Sequence, residues 1–425
     1  MRSARRWQAA AFALAIAGSA FAAAPAAQAR TGACPGLTVT QGWYGQNMAR
    51  LQELVDTYGT CGGGPARAKG HKPVAVFDWD NTVVKNDVGD ATMYWMLRHS
   101  RIRRPQHGDW HTTSRYLTGQ AATALATACP AAHGTTLPTA TDTRCADEIR
   151  TVYGDGKTTG GATAFAGWDR RTIEPRYAWL AQLMSGWRTA DVRSFARAAR
   201  AENLAAPIGT EQRVGTAQVT GWVRYYDQQR DLIRTLHKAG FDVWITSASP
   251  EPVVDVWAGG AGVAPDHTIG IRPVTAHGRL TPHLKGCGTV ADGEDAMITY
   301  VDGKRCWINQ EVFGVRGAAA ERVRPAARRQ VFAAGDSDTD VSFLRDATGL
   351  RLVLNRNKNE LMCRAYDNGD GRWIVNPMFI QPKGRKSGAY PCASTAYTDR
   401  DGTAAPVRRA DGSVVPDQMD TVYGG

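Results

Sequence analysis

Four apolar residues, Val74 to Phe77, lead directly into two carboxylates, Asp78 and Asp80. A short apolar run of this kind predicts a strand that is buried on both faces, as in a parallel sheet. Side chains two residues apart in a strand share a face, so the two carboxylates would meet if the strand continued through them. Two bare carboxylates at a buried strand end are costly unless a cation or hydrogen bonds compensate their charge. Because open α/β sheets bind ligands at the carboxyl ends of their strands, a hard, oxygen-binding ion such as Mg2+ is the natural compensator.

The alternative for this stretch is a solvated turn after the strand, since Asp and Asn are favoured in turns. Two later segments bear on the choice. The apolar run 241–246 ends in Ser247-Ala-Ser249-Pro250, and the run 330–334 ends in Gly335-Asp336, with Asp340 four residues further on. A serine hydroxyl and free amides at such a turn can hold a phosphate. Asp336 and Asp340 would add carboxylates to the same cleft.

Helical periodicity and end signals predict the other main elements. Ser249 is expected to cap a helix that starts at Pro250, and Leu350 to Leu354 is expected to form a further strand. The expected helices are 47–58, 90–99, 175–184, 189–200 and 218–240.

Taken in order, strand-Asp78-x-Asp80-x-Thr82, strand-Ser247 and strand-Gly335-Asp336-x-x-x-Asp340 resemble motifs one, two and four of the haloacid dehalogenase superfamily of phosphohydrolases. Residues 226–254 resemble its phosphoserine phosphatase-like branch. Within that branch the chain is similar to the bacterial secreted phosphorylcholine phosphatases. The pieces that carry this likeness are 77–82, 183–187, 268–271, 302–304 and 353–356.

The resemblance, which covers roughly 73–381, implies an α/β fold: a doubly wound, Rossmann-like parallel sheet core with an inserted helical cap domain. The expected division is a signal peptide at 1–29, an N-terminal segment and linker at 30–72, a core at 73–86 and 216–381, a helical cap at 87–215, and an irregular, loosely ordered tail at 382–425.

The resemblance also implies a role for each matching residue. Asp78 would be the nucleophile and Asp80 the general acid and base. Mg2+ would be held by Asp78, the Asp80 carbonyl and Asp336. Asp340 would orient that metal shell.

Phosphate would be bound by Ser247, by Thr82, which is also expected to bond back to the Asp78 loop, and by a lysine of the third motif. Lys304 is preferred for that lysine, and Lys285 is the alternative. The segment 300–308 around Lys304 is itself expected to be a hairpin or strand.

Residues 1–29 combine Arg2, Arg5 and Arg6 with an alanine-rich apolar run and an Ala27-Gln-Ala29 site, which is typical of a secretory signal peptide. A membrane anchor would need about 20 apolar residues of higher quality. The Arg5-Arg6 pair leaves both the general and the twin-arginine export routes open. We therefore expect a secreted or extracytoplasmic protein with no stable membrane anchor.

Eight cysteines all follow the predicted signal peptide. An even number in an exported protein favours disulfides, although spacing alone does not fix their connectivity. We expect sequential pairing, because it closes short loops within segments that show little other order. The expected pairs are Cys34–Cys61, Cys129–Cys145, Cys287–Cys306 and Cys363–Cys392.

The formal charge of +11 falls to +8 without residues 1–29, which hold three arginines and no acid. The basic residues are dispersed and no nucleic-acid-binding motif is present, so no nucleic-acid partner is expected. Oligomeric state is left open.

The expected function is Mg2+-dependent hydrolysis of a small phosphomonoester through an aspartyl-phosphate, with phosphorylcholine as the first substrate to consider. An aromatic box would hold a trimethylammonium group by cation–π attraction, and the candidates are Trp79, Tyr94, Trp95 and Trp187. The alternatives are a broad-specificity secreted acid phosphatase and a catalytically inactive cell-surface binding protein on the same fold.

Overall fold

The computed structural model describes residues 33–61, 72–130 and 135–424. The predicted signal peptide at 1–29 lies outside the described residues. The helices are α1 Asn47–Tyr58, α2 Val88–Arg98, α3 Gly119–Ala128, α4 Thr143–Asp155, α5 Pro175–Gln182, α6 Thr189–Ala205, α7 Asp227–Lys238, α8 Glu251–Ala258, α9 Asp302–Glu311, α10 Val341–Asp346 and α11 Asn359–Asp367. The strands are β1 Val74–Phe77, β2 Val84–Lys85, β3 Glu211–Val214, β4 Ala217–Thr220, β5 Arg224–Tyr225, β6 Asp242–Pro250, β7 Thr268–Ile271, β8 Pro273–Ala276, β9 Arg279–Leu284, β10 Phe332–Gly335, β11 Leu350–Asn355, β12 Trp373–Pro377, β13 Tyr397–Thr398 and β14 Ala404–Ala405.

Six strands form one parallel sheet in the order β12-β11-β10-β1-β6-β7. In central β1, Phe77 pairs with Ala334 of β10 on one side and with Ile245 of β6 on the other. Ala75 and Phe77 belong to one hydrophobic cluster, and the intervening Val76 belongs to another. Helical side chains complete both clusters, so the sheet is covered on both faces. The predicted α/β fold with a doubly wound parallel sheet is confirmed.

Between β2 and β5 the chain forms α2 to α6 and the β3–β4 hairpin. Side chains from α2, α4 and α5 line the same cavity as Asp78 and Asp336, which lie at the carboxyl edge of the sheet. This inserted segment therefore forms one wall of the site described below.

The expected helix at 218–240 is wrong in its first third. Ala217–Thr220 forms β4, which pairs antiparallel with β3, and the helix begins only at Asp227. The turn of the hairpin holds Gly215 at φ +61°, and the Thr216 amide donates to Asp147 Oδ1 at 2.9 Å. Exposure alternates from residue to residue along β4, as in a strand. A short segment with few apolar residues fits this period as well as the helical one.

The expected hairpin or strand around Lys304 is also wrong, since Asp302–Glu311 is helix α9. Val301, the residue before this helix, has φ +42°, so the chain turns there and the helix begins. Gly303 lets the helix start close to its neighbour, because a Cβ there would lie 1.9 Å from the Ile298 carbonyl oxygen. Cys306 and Trp307 are buried on this helix.

The C-terminal segment contains the two-residue strands β13 and β14, and its described residues are packed rather than loosely ordered. Tyr390, Val407 and Val415 are buried in the cluster that contains Val76. Tight turns and few apolar residues hide this packing from any periodicity analysis.

All four disulfides connect neighbouring cysteines in the sequence: Cys34–Cys61, Cys129–Cys145, Cys287–Cys306 and Cys363–Cys392. The expected sequential pairing is confirmed. Among the described residues, none of the helices has the length and apolar character needed to cross a membrane.

Candidate active site

Asp78 and Asp336 follow the adjacent strands β1 and β10, so their carboxylates meet at one edge of the sheet. The Asp78 amide donates to the Ala334 carbonyl at 2.9 Å. Thr82 Oγ1 lies 2.9 Å from Oδ2 of Asp78 and 3.0 Å from Oδ1 of Asp336. The three side chains are buried, and the single hydroxyl proton of Thr82 serves one carboxylate at a time.

Lys304 lies between two of the site carboxylates. Its Nζ donates to Oδ1 of Asp78 and to Oδ1 of Asp340, both at 2.6 Å, and its side chain is fully buried. Burial alone would lower the pKa of Lys304, but the charges of Asp340 and Asp78 outweigh it and the pKa is raised. Lys285 instead pairs with Asp292 at 2.5 Å on the surface, with 41% of its side chain exposed. Of the two candidate lysines, Lys304 is the one that contacts the site carboxylates.

Asp340 also holds the backbone that carries Asp336. Its Oδ2 accepts from the amides of Asp336 at 2.9 Å and Ser337 at 3.0 Å. Gly335 permits this contact, because a Cβ there would lie 2.7 Å from the Asp340 carboxylate. Asp340 thus fixes the loop after β10 while it contacts Lys304.

Asp80 is held by three donors. Its Oδ1 accepts from the Val88 amide at 2.7 Å, and its Oδ2 accepts from the hydroxyls of Ser249 at 2.8 Å and Ser247 at 3.2 Å. Desolvation and then the charge of Asp87 raise the pKa of Asp80, although the three hydrogen bonds oppose that rise. A carboxyl with a raised pKa beside a nucleophile is suited to proton transfer.

Two expectations for this loop need correction. Ser249 does not cap the following helix, whose N-cap is Pro250, and its hydroxyl serves Asp80 instead. The strand β6 runs on to Pro250, so Ser247 lies inside it. The hydroxyl of Ser247 contacts Asp80.

The pKa of Asp78 is raised by desolvation and by the charge of Asp340, while Lys304 opposes the shift. Asp78, Asp336 and Asp340 each offer a carboxylate oxygen, and these oxygens lie within 4.8 Å of one another. Arg356 donates from Nη1 to Oδ2 of Asp336 at 2.5 Å.

Asp80 has a raised pKa and, as the expected general acid, holds a proton, so the formal count sets Asp78, Asp336 and Asp340 against the two cations that contact them, Lys304 and Arg356. One negative charge therefore remains. A buried set of hard oxygen donors with this charge fits Mg2+.

The site opens into a cavity of about 460 Å3 between the sheet edge and the inserted helices. The cavity wall beside Asp80 holds two partly buried carboxylates, Asp87 and Asp90, near three tyrosines, Tyr94, Tyr153 and Tyr177. Asp87 Oδ1 accepts from the Asp90 amide at 2.9 Å, and the Tyr153 hydroxyl donates to Asp90 Oδ1 at 2.7 Å.

Burial and then the charge of Asp90 raise the pKa of Asp87 to about 7. Burial, followed by the charge of Asp80, raises the pKa of Asp90 to about 6 in spite of the Tyr153 hydrogen bond. Among the described residues, neither carboxylate forms an ion pair with a basic side chain. These two carboxyls are therefore only partly ionised near neutral pH.

Of the four aromatic residues proposed for a cation box, Tyr94 lines this cavity. Trp79 is fully buried beside Tyr225, Trp95 stacks on His99, and Trp187 packs on Phe195. Tyr153 and Tyr177 lie on α4 and α5, far from motif one in sequence.

The sequence reasoning missed Ser249, Arg356, Asp87 and Asp90 as residues of the cavity. A signal existed for Arg356, which lies two residues after the predicted strand Leu350 to Leu354 and directly after the observed β11, at the same edge of the sheet. In the sequence, Asp87 and Asp90 resemble the acids that commonly stabilise a helix N-terminus. In the structure Asp87 is the N-cap of α2 and Asp90 lies in its first turn.

A family model described as haloacid dehalogenase-like hydrolase matches residues 157–345. The comparison with curated proteins gives no match. A conserved protein of unknown function from Anaerococcus prevotii DSM 20548 has a similar structure, with 19% identity and a TM-score of 0.58 over 79% of this chain and 92% of that chain. A protein of unknown function from Bordetella pertussis Tohama I gives 17% identity and a TM-score of 0.44 over 72% and 99%. A substrate-bound phosphoserine phosphatase gives 12% identity and a TM-score of 0.29 over 67% and 86%.

The Anaerococcus structure supports the α/β fold. The family match includes Ser247, Lys304, Asp336 and Asp340 but begins after Asp78 and Asp80; Lys304 contacts Asp78 and Asp340 in the fold. Over these residues the chain is similar to a haloacid dehalogenase-like hydrolase.

Proposed function

We propose that this protein is an exported, Mg2+-dependent phosphomonoester hydrolase that acts through an aspartyl-phosphate, with phosphorylcholine or a similar small phosphoester as substrate. The observation that carries the reaction is the contact of Lys304 with Asp78 and Asp340 at 2.6 Å, beside Asp336 and Asp80 at one sheet edge. Loss of any of these carboxylates would have favoured an inactive binding protein.

In the first half-reaction the Asp78 carboxylate attacks phosphorus, the bond from phosphorus to the alcohol oxygen breaks, and Asp80 gives its proton to that oxygen. In the second half-reaction Asp80 takes a proton from water as the water oxygen attacks phosphorus, which releases phosphate and restores Asp78. The hydrogen bonds from Val88, Ser249 and Ser247 hold the Asp80 carboxyl in place for both transfers.

Mg2+, held by Asp78, the Asp80 carbonyl and Asp336, would neutralise charge on the phosphoryl oxygens. Asp340 would orient Asp336 through its backbone amide. Lys304 offsets the charge of Asp78 before substrate binds, and we assign it, with Ser247 and Thr82, to the phosphoryl-binding end of the site.

The proposed substrate is chosen from the cavity wall that holds Asp87 and Asp90. Asp87 and Asp90 are partly ionised near neutral pH and form no ion pair with a basic side chain among the described residues, and Tyr94, Tyr153 and Tyr177 lie near them. A cation over an aromatic face gains about 2 kcal/mol or more when it is desolvated. A phosphoester with an ammonium group at its other end, such as phosphorylcholine, matches a cavity that holds both the metal-binding carboxylates and this wall.

Export is supported by the four disulfides, which persist in oxidising compartments. We propose that residues 1–29 are the signal peptide and that residues 87–215 act as a cap that selects the substrate.

The test measures phosphate release from phosphorylcholine and from p-nitrophenyl phosphate, with Mg2+ and with chelator. We expect Asp78→Asn to abolish both activities while its circular dichroism stays that of the wild type. Turnover of the chromogenic ester alone would discard the choline assignment and favour a broad-specificity acid phosphatase. Silence on both substrates by a folded, disulfide-intact protein would contradict the assignment of these two esters and favour the inactive binding protein.

Substrate selection has its own test, the double variant Asp87→Asn with Asp90→Asn. We expect its KM for phosphorylcholine to rise roughly 10- to 100-fold, since about 1.4–2.8 kcal/mol of cation binding is lost. Its KM for p-nitrophenyl phosphate, which carries no cation, should change little. Asp155→Asn is the matched control, because Asp155 lines the same cavity but is exposed to solvent. Equal losses for both substrates would refute the cation-binding wall.

A further inference from the structure

Arg356 is a cation in the site that none of the motifs explains. Its guanidinium lies in the wall that also carries Asp78, Asp80 and Asp336. It donates from Nη1 to Asp336 Oδ2 at 2.5 Å, and 28% of its side chain is exposed. A guanidinium has five N–H donors, so most of its donors remain available on the cavity side.

The other basic groups of the site and the cavity have partners of their own. Lys304 is fully buried between Asp78 and Asp340. In the inserted helices, Arg176 donates to Glu174 at 3.1 Å and to the Gly154 carbonyl at 2.6 Å. Arg150 donates to the Thr151 hydroxyl at 3.0 Å. Among the described residues, Arg356 is thus the cation that both contacts the carboxylate cluster and lines the cavity.

The backbone around Arg356 is fixed rather than loose. Asn355, at the end of β11, donates from its side chain to Asp420 at 3.0 Å and to the Val422 carbonyl at 2.6 Å. Asn357 takes φ +58° and its amide donates back to Asn355 Oδ1 at 2.8 Å. The C-terminal segment therefore anchors the turn that presents Arg356, which is the preorganisation that a binding residue needs.

Positive charge also accumulates behind Arg356. Lys85 is buried, and among the described residues its Nζ has hydrogen-bond partners in Met378 Sδ at 3.9 Å and the Gln381 carbonyl at 3.5 Å. Burial lowers the pKa of Lys85 to about 8, and the charges of Arg356 and Lys383 add to that fall. Arg356 and Lys85 thus give this part of the site positive charge.

We propose that Arg356 is a phosphoryl-binding residue, which donates hydrogen bonds to an oxygen of the ester and of the phosphate product. The inference rests on the proposed phosphatase function and extends it. Asp336 holds Arg356 in place before substrate arrives, and the planar donor pair of Arg356 then suits an anionic phosphoryl oxygen.

The test is binding of inorganic phosphate to the Mg2+-saturated, disulfide-intact protein by calorimetry, together with Mg2+ affinity measured by thermal shift without phosphate. Arg356→Gln should weaken phosphate binding roughly 10- to 100-fold, as expected for lost charge-assisted hydrogen bonds. Its Mg2+ affinity should stay the same or tighten, because a competitor for Asp336 is removed. Arg356→Lys should lie in between, and Arg150→Gln, which removes the same charge from the same cavity, should change phosphate binding less than about threefold.

Unchanged phosphate affinity combined with weaker Mg2+ binding in Arg356→Gln would overturn the inference and leave Arg356 as a partner of Asp336. No phosphate binding by the wild type would overturn it as well. Failure of the wild type to hydrolyse phosphorylcholine, with phosphate binding intact, would remove the proposed substrate and leave the role of Arg356 standing.

Discussion

Replacement of Lys304 by methionine tests the charge balance of the site most directly. Methionine keeps the length and apolar stem of lysine but removes the ammonium that contacts Asp78 and Asp340 at 2.6 Å. Both carboxylates are buried, so the variant leaves negative charge without its partner. Breaking a buried pair on one side costs about 3–5 kcal/mol.

The loss can be converted into a melting temperature. Unfolding entropy is about 2.1 cal/mol/K per residue, or about 0.8 kcal/mol/K for a mature chain of about 400 residues. In chelator, Lys304→Met should therefore melt about 4–6 °C below the wild type. At saturating Mg2+ the gap should narrow, because the metal would neutralise part of the same charge. We also expect kcat to fall about 10²- to 10³-fold, as for removal of one charge-stabilising donor.

Lys285→Met is the matched control, since it removes the same group from an ion pair on the surface. Its side chain and that of Asp292 are 41% and 50% exposed, and such pairs contribute about 0–1 kcal/mol. Differential scanning calorimetry of both variants, each in chelator and in Mg2+, measures the difference. Equal melting temperatures for the two variants, or a full kcat in Lys304→Met, would refute the assignment of Lys304 to the site.

Two further predictions concern stability. The free energy of unfolding should fall as pH rises from about 4 to about 7, because Asp87, with its pKa raised to about 7, keeps its proton in the folded state where the unfolded chain, with a pKa of about 3.9, has ionised. Urea unfolding at several pH values measures this slope, and Asp87→Asn should flatten it; an equal slope in the variant would contradict the assignment. Removal of the Cys363–Cys392 disulfide, by Cys363→Ala with Cys392→Ala, should cost about 3–4 kcal/mol, because it closes a loop with a sequence separation of 29 residues. Thermal unfolding measures that cost, and an unchanged melting temperature would show that packing of Tyr390 and its neighbours holds the segment without the disulfide.

The residues at the sheet edge were predictable because the sequence signal for each of them is local. A buried strand gives a continuous apolar run, and the residue after it must lie at the carboxyl edge. Asp78, Ser247 and Asp336 each follow or end such a run, so their proximity required only that the strands be parallel neighbours. The same rule would also have identified Arg356, if the residues that follow β11 had been considered.

The predictions of other elements were wrong where one segment fits both the helical and the strand period. The stretch 217–226 holds too few apolar residues to separate a helix from a hairpin, and the β3–β4 pairing decides in favour of the hairpin. Around Lys304 the apolar residues Cys306, Trp307 and Ile308 read as a strand, whereas the helix is fixed by the tight contact at Gly303 and by the disulfide to Cys287. These determinants are tertiary, so no window of sequence contains them.

The substrate wall was out of reach for a different reason. Asp87 and Asp90 come from the start of α2, while Tyr153 and Tyr177 come from helices about 60 and 90 residues further on. Only packing of the inserted helices over the sheet edge makes one surface of them.

The cavity carboxylates with raised pKa values each cost stability in their ionised form. Lys304 and Arg356 form ion pairs with Asp78, Asp340 and Asp336, whereas Asp87 and Asp90 form none among the described residues. That asymmetry is what a substrate with an anionic and a cationic end would satisfy: its phosphoryl group would meet Arg356 and the metal, and its ammonium group would meet Asp87 and Asp90. Ligand binding should therefore stabilise the fold more than contact area alone predicts, because it neutralises charge that folding has already buried.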